Sequence, residues 1–158
     1  MWRTRLCWRE QKGWRSRCLP VIGVKLVWRT GTPVQNRSYG ETLEIVLDTQ
    51  APARFSAGAM GYATVGKEGT AIHVFYHRVR ACPWPELTTA LLGHVMVHEI
   101  THVLEDVARH SRSGVMKANF DGHDYDVMRA RPLRFAAEDV ELVQAHFGGA
   151  NARIPEQR

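Results

Sequence analysis

Two histidines four residues apart, His98 and His102, with Glu99 directly after the first, make an HExxH sequence within the 158-residue chain. In a helix, side chains four positions apart lie one above the other. Both imidazoles can therefore offer a nitrogen to one metal ion. Glu99 lies about 100° further round the helix than His98. From there a carboxylate can take a proton from water activated by the metal instead of ligating it. Zinc suits this donor set best, because it accepts neutral imidazole and lowers the pKa of water to about 7. The plain alternative is chance, since three fixed residues recur in unrelated chains. The surroundings argue against it. Between Leu87 and Val107, Leu92, Met96, Ile100, Val103, Leu104 and Val107 fall on one side, and Leu87, Leu91, His94, His98, His102 and Glu105 on another. That is the pattern of a buried helix presenting a histidine stripe to a cavity.

A catalytic zinc site uses three protein ligands and leaves a position open for water. The third candidates are His110, Glu105 one turn past His102, and His123 or Asp124 further on. The downstream sequence runs Arg109-His110-Ser111-Arg112-Ser113-Gly114-Val115-Met116. Here the chain resembles the metzincin clan of zinc metalloproteases, and the matrixins within it most closely, whose pattern is HExxHxxGxxH, then Ser, a short loop and a Val-Met or Ile-Met turn. The resemblance implies a zinc-dependent endopeptidase with one catalytic ion, His98, His102 and His110 as metal ligands, Glu99 as general base and Met116 as the Met-turn residue beneath the metal. The chain departs from the family in its spacing: His110 follows His102 by eight residues, with no glycine between. In an unbroken helix His110 would lie about 12 Å further along the axis. The helix must therefore end between Leu104 and Ala108. Asp106 is the expected breaker, because Asp tolerates the left-handed conformation better than most residues.

The elements that must position these residues read as an α+β fold. The resemblance makes it zincin- or metzincin-like: a twisted, mixed and mostly parallel sheet with an antiparallel edge strand, backed by the active-site helix, then the Met-turn and a C-terminal helix. Alternation predicts strands over 21–29, 42–48, 59–65 and 70–79, with a turn over 66–69. Gly69 to Phe75 is similar to the strand that matrixins place shortly before the active-site helix. His73 and His77 are expected to face solvent from it. Pro85 and Glu86 open the helix that carries the motif. His94 is a packed residue, or one that supports the site without ligating. A short helix or turn is expected from Asp121 to Ala130. Tyr125 within it could donate to the transition state, as a tyrosine after the Met-turn does in some metzincins, or simply pack in the core. The last helix, 136–147, has Glu138 and Asp139 in its first turn, Leu142, Val143 and Phe147 against the body, and Gly148-Gly149 as its stop. Matrixins end on a similar helix.

The length suits one domain with a real core. It divides into an atypical basic, Trp-rich leader over 1–20, expected to be poorly ordered, a catalytic domain over 21–149 and a polar tail over 150–158. The net charge of +5 sits in the leader: residues 1–17 carry six basic side chains and one acidic, and the rest balances fifteen against fifteen. The domain itself has no basic bias, so no nucleic-acid partner is expected; the resemblance implies a peptide or protein substrate. Trp2, Trp8 and Trp14 among the arginines leave open a second class of function, binding of single-stranded nucleic acid or a membrane surface through the leader. A zinc-binding protein with weak or no peptidase activity is the other alternative. No apolar run could span a membrane, and the leader has no secretory pattern. The resemblance implies a secreted or extracytoplasmic setting. Cys7, Cys18 and Cys82 form no CxxC pair; Cys7 and Cys18 could pair in an oxidising setting, and free thiols are the plainer expectation. An extended substrate could add to the edge strand near 59–65.

Overall fold

A computed structural model describes residues 2–7, 27–30, 42–66, 69–105 and 108–151. Five strands, β1 (Trp2–Cys7), β2 (Val27–Thr30), β3 (Thr42–Asp48), β4 (Gly61–Gly66) and β5 (Gly69–Phe75), form one mixed sheet in the order β2-β1-β3-β5-β4. The helices are α1 (Tyr76–Arg80), α2 (Thr88–Glu105), α3 (Gly122–Ala130) and α4 (Ala137–Asn151), with a 3-10 turn at Pro85–Leu87 leading into α2. The fold is α+β.

The sheet is mixed, but not mostly parallel. Only β3 and β5 run parallel; β1 with β2, β1 with β3, and β4 with β5 are antiparallel. The antiparallel edge strand is present as expected, in β4. The leader also differs from its expectation, since Trp2–Cys7 is a strand paired with β3 from Trp2↔Leu47 to Cys7↔Thr42. The rest of the leader, residues 8–20, lies outside the described residues, as do positions 21–26 of the strand expected over 21–29 and the tail beyond Asn151.

Alternation builds the core. Leu43 and Ile45 on β3, and Ile72 and Val74 on β5, are fully buried and join Leu91, Val95 and Ile100 of α2 in one cluster. Fully burying each such side chain is worth about 1.5–3 kcal/mol. α2 is the central helix, and from Val97 to Thr101 all five residues are buried. Leu91, His94, His98 and Glu105 are buried along one side, and Ile100 and Leu104 on the other, while Leu92, Met96 and Val103 are only half-buried against the cluster. Pro85 stands in the first turn of the 3-10 segment with Glu86, as the sequence implies.

Two element ends move, those of β5 and α4, and one start holds. β5 stops at Phe75, and Tyr76–Arg80 is a single helical turn with Val79 fully buried. α3 starts where expected, capped by Asp121: the Asp124 N–H donates to Asp121 Oδ1 at 3.1 Å, and the Asp121 N–H donates to Asp124 Oδ2 at 2.9 Å. α4 runs past Gly148-Gly149 to Asn151. Its Val143 is buried as expected, whereas Leu142 is exposed. The side chain of Phe147 is outside the described residues.

Candidate metal centre and the cleft above it

α2 ends at Glu105, within the interval that the spacing of His110 demands. Asp106, the expected breaker, lies outside the described residues. The chain returns at 108–110, and the imidazoles of His98, His102 and His110 converge, with one ligand atom from each all within 4.8 Å of one another. His98 Nε2 and His102 Nε2 are 3.0 Å apart. The ring centroid of His110 lies 5.2 Å from that of His98 and 5.0 Å from that of His102. Three histidines so placed could hold a metal ion. His98 is buried, His102 half-buried and His110 exposed, so the cluster opens outward on the His110 side.

The turn after His110 fixes the His98 ring. His98 Nδ1–H donates to the Val115 carbonyl at 2.8 Å, which leaves the Nε2 lone pair facing the cluster. Burial, opposed by that hydrogen bond and assisted by His102 and His110, lowers the His98 pKa to about 4. His98 is therefore neutral at pH 7, as a metal ligand must be. Met116 is buried, and its carbonyl accepts from the Ser111 N–H at 2.8 Å, one residue past His110. The Val115-Met116 pair thus touches both ends of the histidine cluster through its backbone carbonyls. Gly114 makes the turn possible. Its φ is +78°, and a Cβ there would stand 2.2 Å from the Arg134 carbonyl oxygen. That carbonyl accepts from the Val115 N–H at 2.9 Å.

His94 is not a fourth ligand. Its Nδ1–H donates to the Ala90 carbonyl at 2.6 Å, and its Nε2 accepts from the Leu133 N–H at 2.9 Å. His94 thus pins the 131–136 segment to α2, next to the carbonyl that holds Val115. No motif flags this; only the one-turn offset from His98 does.

Glu99 is buried, and burial alone pushes its carboxyl up to about 7. It lines a cleft of about 620 Å³ together with His98, His102, His110 and the β4 residues Gly61, Tyr62 and Ala63. Gly61 is the point of closest approach: a Cβ there would lie 2.9 Å from Glu99 Oε1 and 2.8 Å from the His73 carbonyl oxygen. The sequence alone gives Gly61 no such role, because the demand comes from a helix remote in the chain.

The rival third ligands are elsewhere. Glu105 is buried with neither carboxylate oxygen hydrogen-bonded, 3.6 Å from Arg109, and burial pushes its carboxyl up to about 7 against the pull of that arginine. His123 is exposed on α3. Asp124 caps α3 and pairs with Lys117 at 2.6 Å. Tyr125 packs on Trp84, ring centroids 4.9 Å apart, and does not line the cleft. His73 is only partly exposed: it bonds Asp48 at 2.9 Å and stacks on Tyr62 at 4.6 Å. His77 is exposed, but on α1 and not on a strand. Cys82 is a buried free thiol.

No family model, no curated protein and no solved structure matches the chain.

Proposed function

We propose that the chain is a zinc-dependent endopeptidase of metzincin-like, matrixin-like organisation, with His98, His102 and His110 as the ligands of one zinc ion, Glu99 as the general base and Met116 in the Met-turn. The observation that carries it is a buried carboxylate one residue from a converging three-imidazole set, both opening on a cleft beside an edge strand. The donor set fits zinc. Zn–N bonds of about 2.0–2.1 Å at tetrahedral angles separate ligand nitrogens by about 3.3 Å, close to the 3.0 Å between His98 and His102. Three imidazole ligands also leave a fourth position free.

Zinc held there supplies Lewis acidity to the scissile carbonyl and lowers the pKa of the attacking water to about 7. Glu99 accepts the proton of that water at a carboxylate oxygen and delivers it to the departing amine. A carboxyl raised to about 7 by burial suits both halves of that transfer at neutral pH. β4 has β5 on one side and is last in the sheet order. Its outer backbone groups can pair with an extended peptide, which gives affinity with little demand on sequence.

The test is metal content with turnover of a generic peptide. Wild type should carry one zinc per chain and hydrolyse the peptide; His98→Ala and His102→Ala should lose the metal. Glu99→Gln should keep zinc and lose turnover by about 10²–10⁴-fold. Equal turnover in wild type and Glu99→Gln would remove the peptidase and leave a metal-binding protein. Stoichiometric zinc in both histidine variants would remove the site.

A further inference from the structure

The His110 loop lacks the glycine that the metzincin pattern has in it, and it is longer by two residues. Something else must hold His110 against α2. Both neighbours of His110 are tied to one buried carboxylate on α4. Arg109 Nη2 donates to Asp139 Oδ1 at 2.6 Å, and Ser111 Oγ donates to the same oxygen at 2.5 Å. Arg109 Nη1 donates to Ser111 Oγ at 3.0 Å, closing a triangle. Asp139 Oδ2 accepts from the Ala136 N–H at 3.1 Å, so the carboxylate is held by its own helix start. Asp139 has no exposure and Ser111 is 7% exposed. Arg109 also reaches back to Glu105, the last residue of α2, at 3.6 Å.

We infer that Asp139, through Arg109 and Ser111, is the positioning residue that holds His110 in place as the third metal ligand. The physical reason is precision: metal–ligand geometry tolerates little of the freedom that a side chain on a loop has. Two anchor points, one on each side of His110, remove that freedom. Ser111 adds a third, since its N–H donates to the Met116 carbonyl at 2.8 Å. Arg109 is suited to the task because its guanidinium offers two nitrogens in a rigid fork, one to each partner. The four bonds lie mostly out of water, where charge-assisted hydrogen bonds are strongest.

The inference rests on the zinc reading of the three histidines, and the two can fail separately. The experiment titrates zinc into the metal-free full chain and records the visible spectrum of the cobalt(II)-substituted protein, which reports ligand number without any turnover. The variants are Asp139→Ala, the double variant Arg109→Met/Ser111→Ala, Arg109→Lys and His110→Ala. Asp139→Ala also deprives the Ala136 N–H of its acceptor and could unfold the chain, whereas the double variant leaves that bond intact. The double variant should bind zinc about 10- to 100-fold more weakly than wild type, and its cobalt spectrum should shift toward that of His110→Ala. Arg109→Lys should fall between, because one ammonium cannot reproduce the two-point contact. Wild-type zinc affinity and an unchanged cobalt spectrum in the double variant, with His110→Ala impaired, would overturn the positioning role and leave the zinc site standing. Wild-type affinity in His110→Ala would overturn both.

Discussion

Gly61 has a consequence for Glu99 that only the assembled fold reveals. A methyl group at this position meets Glu99 Oε1 at 2.9 Å and the backbone oxygen of His73 at 2.8 Å. The backbone oxygen cannot swing away, so the carboxylate or the edge strand must move. A displacement of about 1 Å at a catalytic group can cost about 10²-fold in rate. Gly61→Ala should therefore lower kcat by about that factor, leave KM within a few-fold and keep stoichiometric zinc. Unchanged kcat, or loss of the metal, would show that the glycine serves something other than clearance for the base. The histidine cluster was far more legible than this glycine. His98, Glu99 and His102 declare themselves because helix geometry converts a spacing of four directly into adjacency. His110 was legible through its downstream neighbours, since Gly114 permits a conformation that few other residues adopt. The rivals Glu105 and His123 could be set aside only when one proved buried beside Arg109 and the other exposed on α3. His110→Ala should accordingly weaken zinc far more than His123→Ala or Glu105→Gln in parallel metal titrations; equal effects would reject His110 as the third ligand.

Helix α2 carries His98, Glu99 and His102, yet its histidine stripe is held from outside by the 131–136 segment. A run of hydrogen bonds joins them: His94 accepts from Leu133, the Arg134 carbonyl accepts from Val115, and the Val115 carbonyl accepts from His98. Replacing His94 by Leu would remove its hydrogen bond to the buried Leu133 N–H, a loss of about 0.5–1.5 kcal/mol. It should also weaken zinc, through slackening of the Val115 carbonyl. Thermal melting of the metal-free protein measures the first effect and zinc titration the second; a variant matching wild type in both would dismiss the connection. His94 has its own pH signature. Desolvation lowers its pKa below the ordinary 6.5, against the pull of the Ala90 carbonyl. Its surroundings are the Ala90 carbonyl, the Leu133 N–H and the edge-on Phe120 ring, with no carboxylate among them. A histidine with a depressed folded pKa contributes stability that is intact above about pH 6.5 and is lost as the pH falls toward the folded value. The metal-free wild type should therefore lose stability below pH 6.5 more steeply than His94→Leu, and parallel slopes would contradict this. Element ends were the hardest part to read. The alternation through His77 and Val79 continues the β5 pattern, but Val79 lies four residues after Phe75 and a helical turn buries both. Gly148-Gly149 failed as a stop because a helical glycine costs only about 1 kcal/mol relative to alanine.

The whole chain closes on a sheet whose N-terminal strand was the least legible part of the sequence. Trp2–Cys7 shows tryptophan, arginine and threonine in a segment whose charge suggests a solvated leader, and only its partners on β2 and β3 make it a strand. That placement separates two properties of the leader that the composition merges. Trp2–Cys7 lies between β2 and β3 in the sheet, while Arg9, Lys12, Arg15 and Arg17 carry most of the excess charge outside that strand. Deleting residues 1–17 would therefore bare the edge of β3 and strip β2 of its partner. Low solubility and a lowered melting temperature are expected, because an unpaired strand edge invites association. Loss of activity in such a deletion says nothing about a binding role for the charge. Replacing Arg9, Lys12, Arg15 and Arg17 together by Gln keeps β1 and takes four positive charges away, reducing the net charge from +5 to about +1. If the chain acts as a peptidase through the cleft, this variant should keep its zinc and its kcat/KM for a neutral peptide within about two-fold of wild type, since none of the four side chains belongs to the proposed machinery and a neutral peptide carries no charge for them to attract. A leader that binds single-stranded nucleic acid would show a different result. Wild type would retain an oligonucleotide with an affinity falling steeply as salt rises, and the variant would lose most of both the affinity and the slope. Fluorescence anisotropy with a labelled oligonucleotide across a salt series, run beside the peptide assay on the same two proteins, decides between them. Salt-dependent oligonucleotide binding in wild type, its loss in the variant, and no peptide turnover in either would transfer the function from the cleft to the leader.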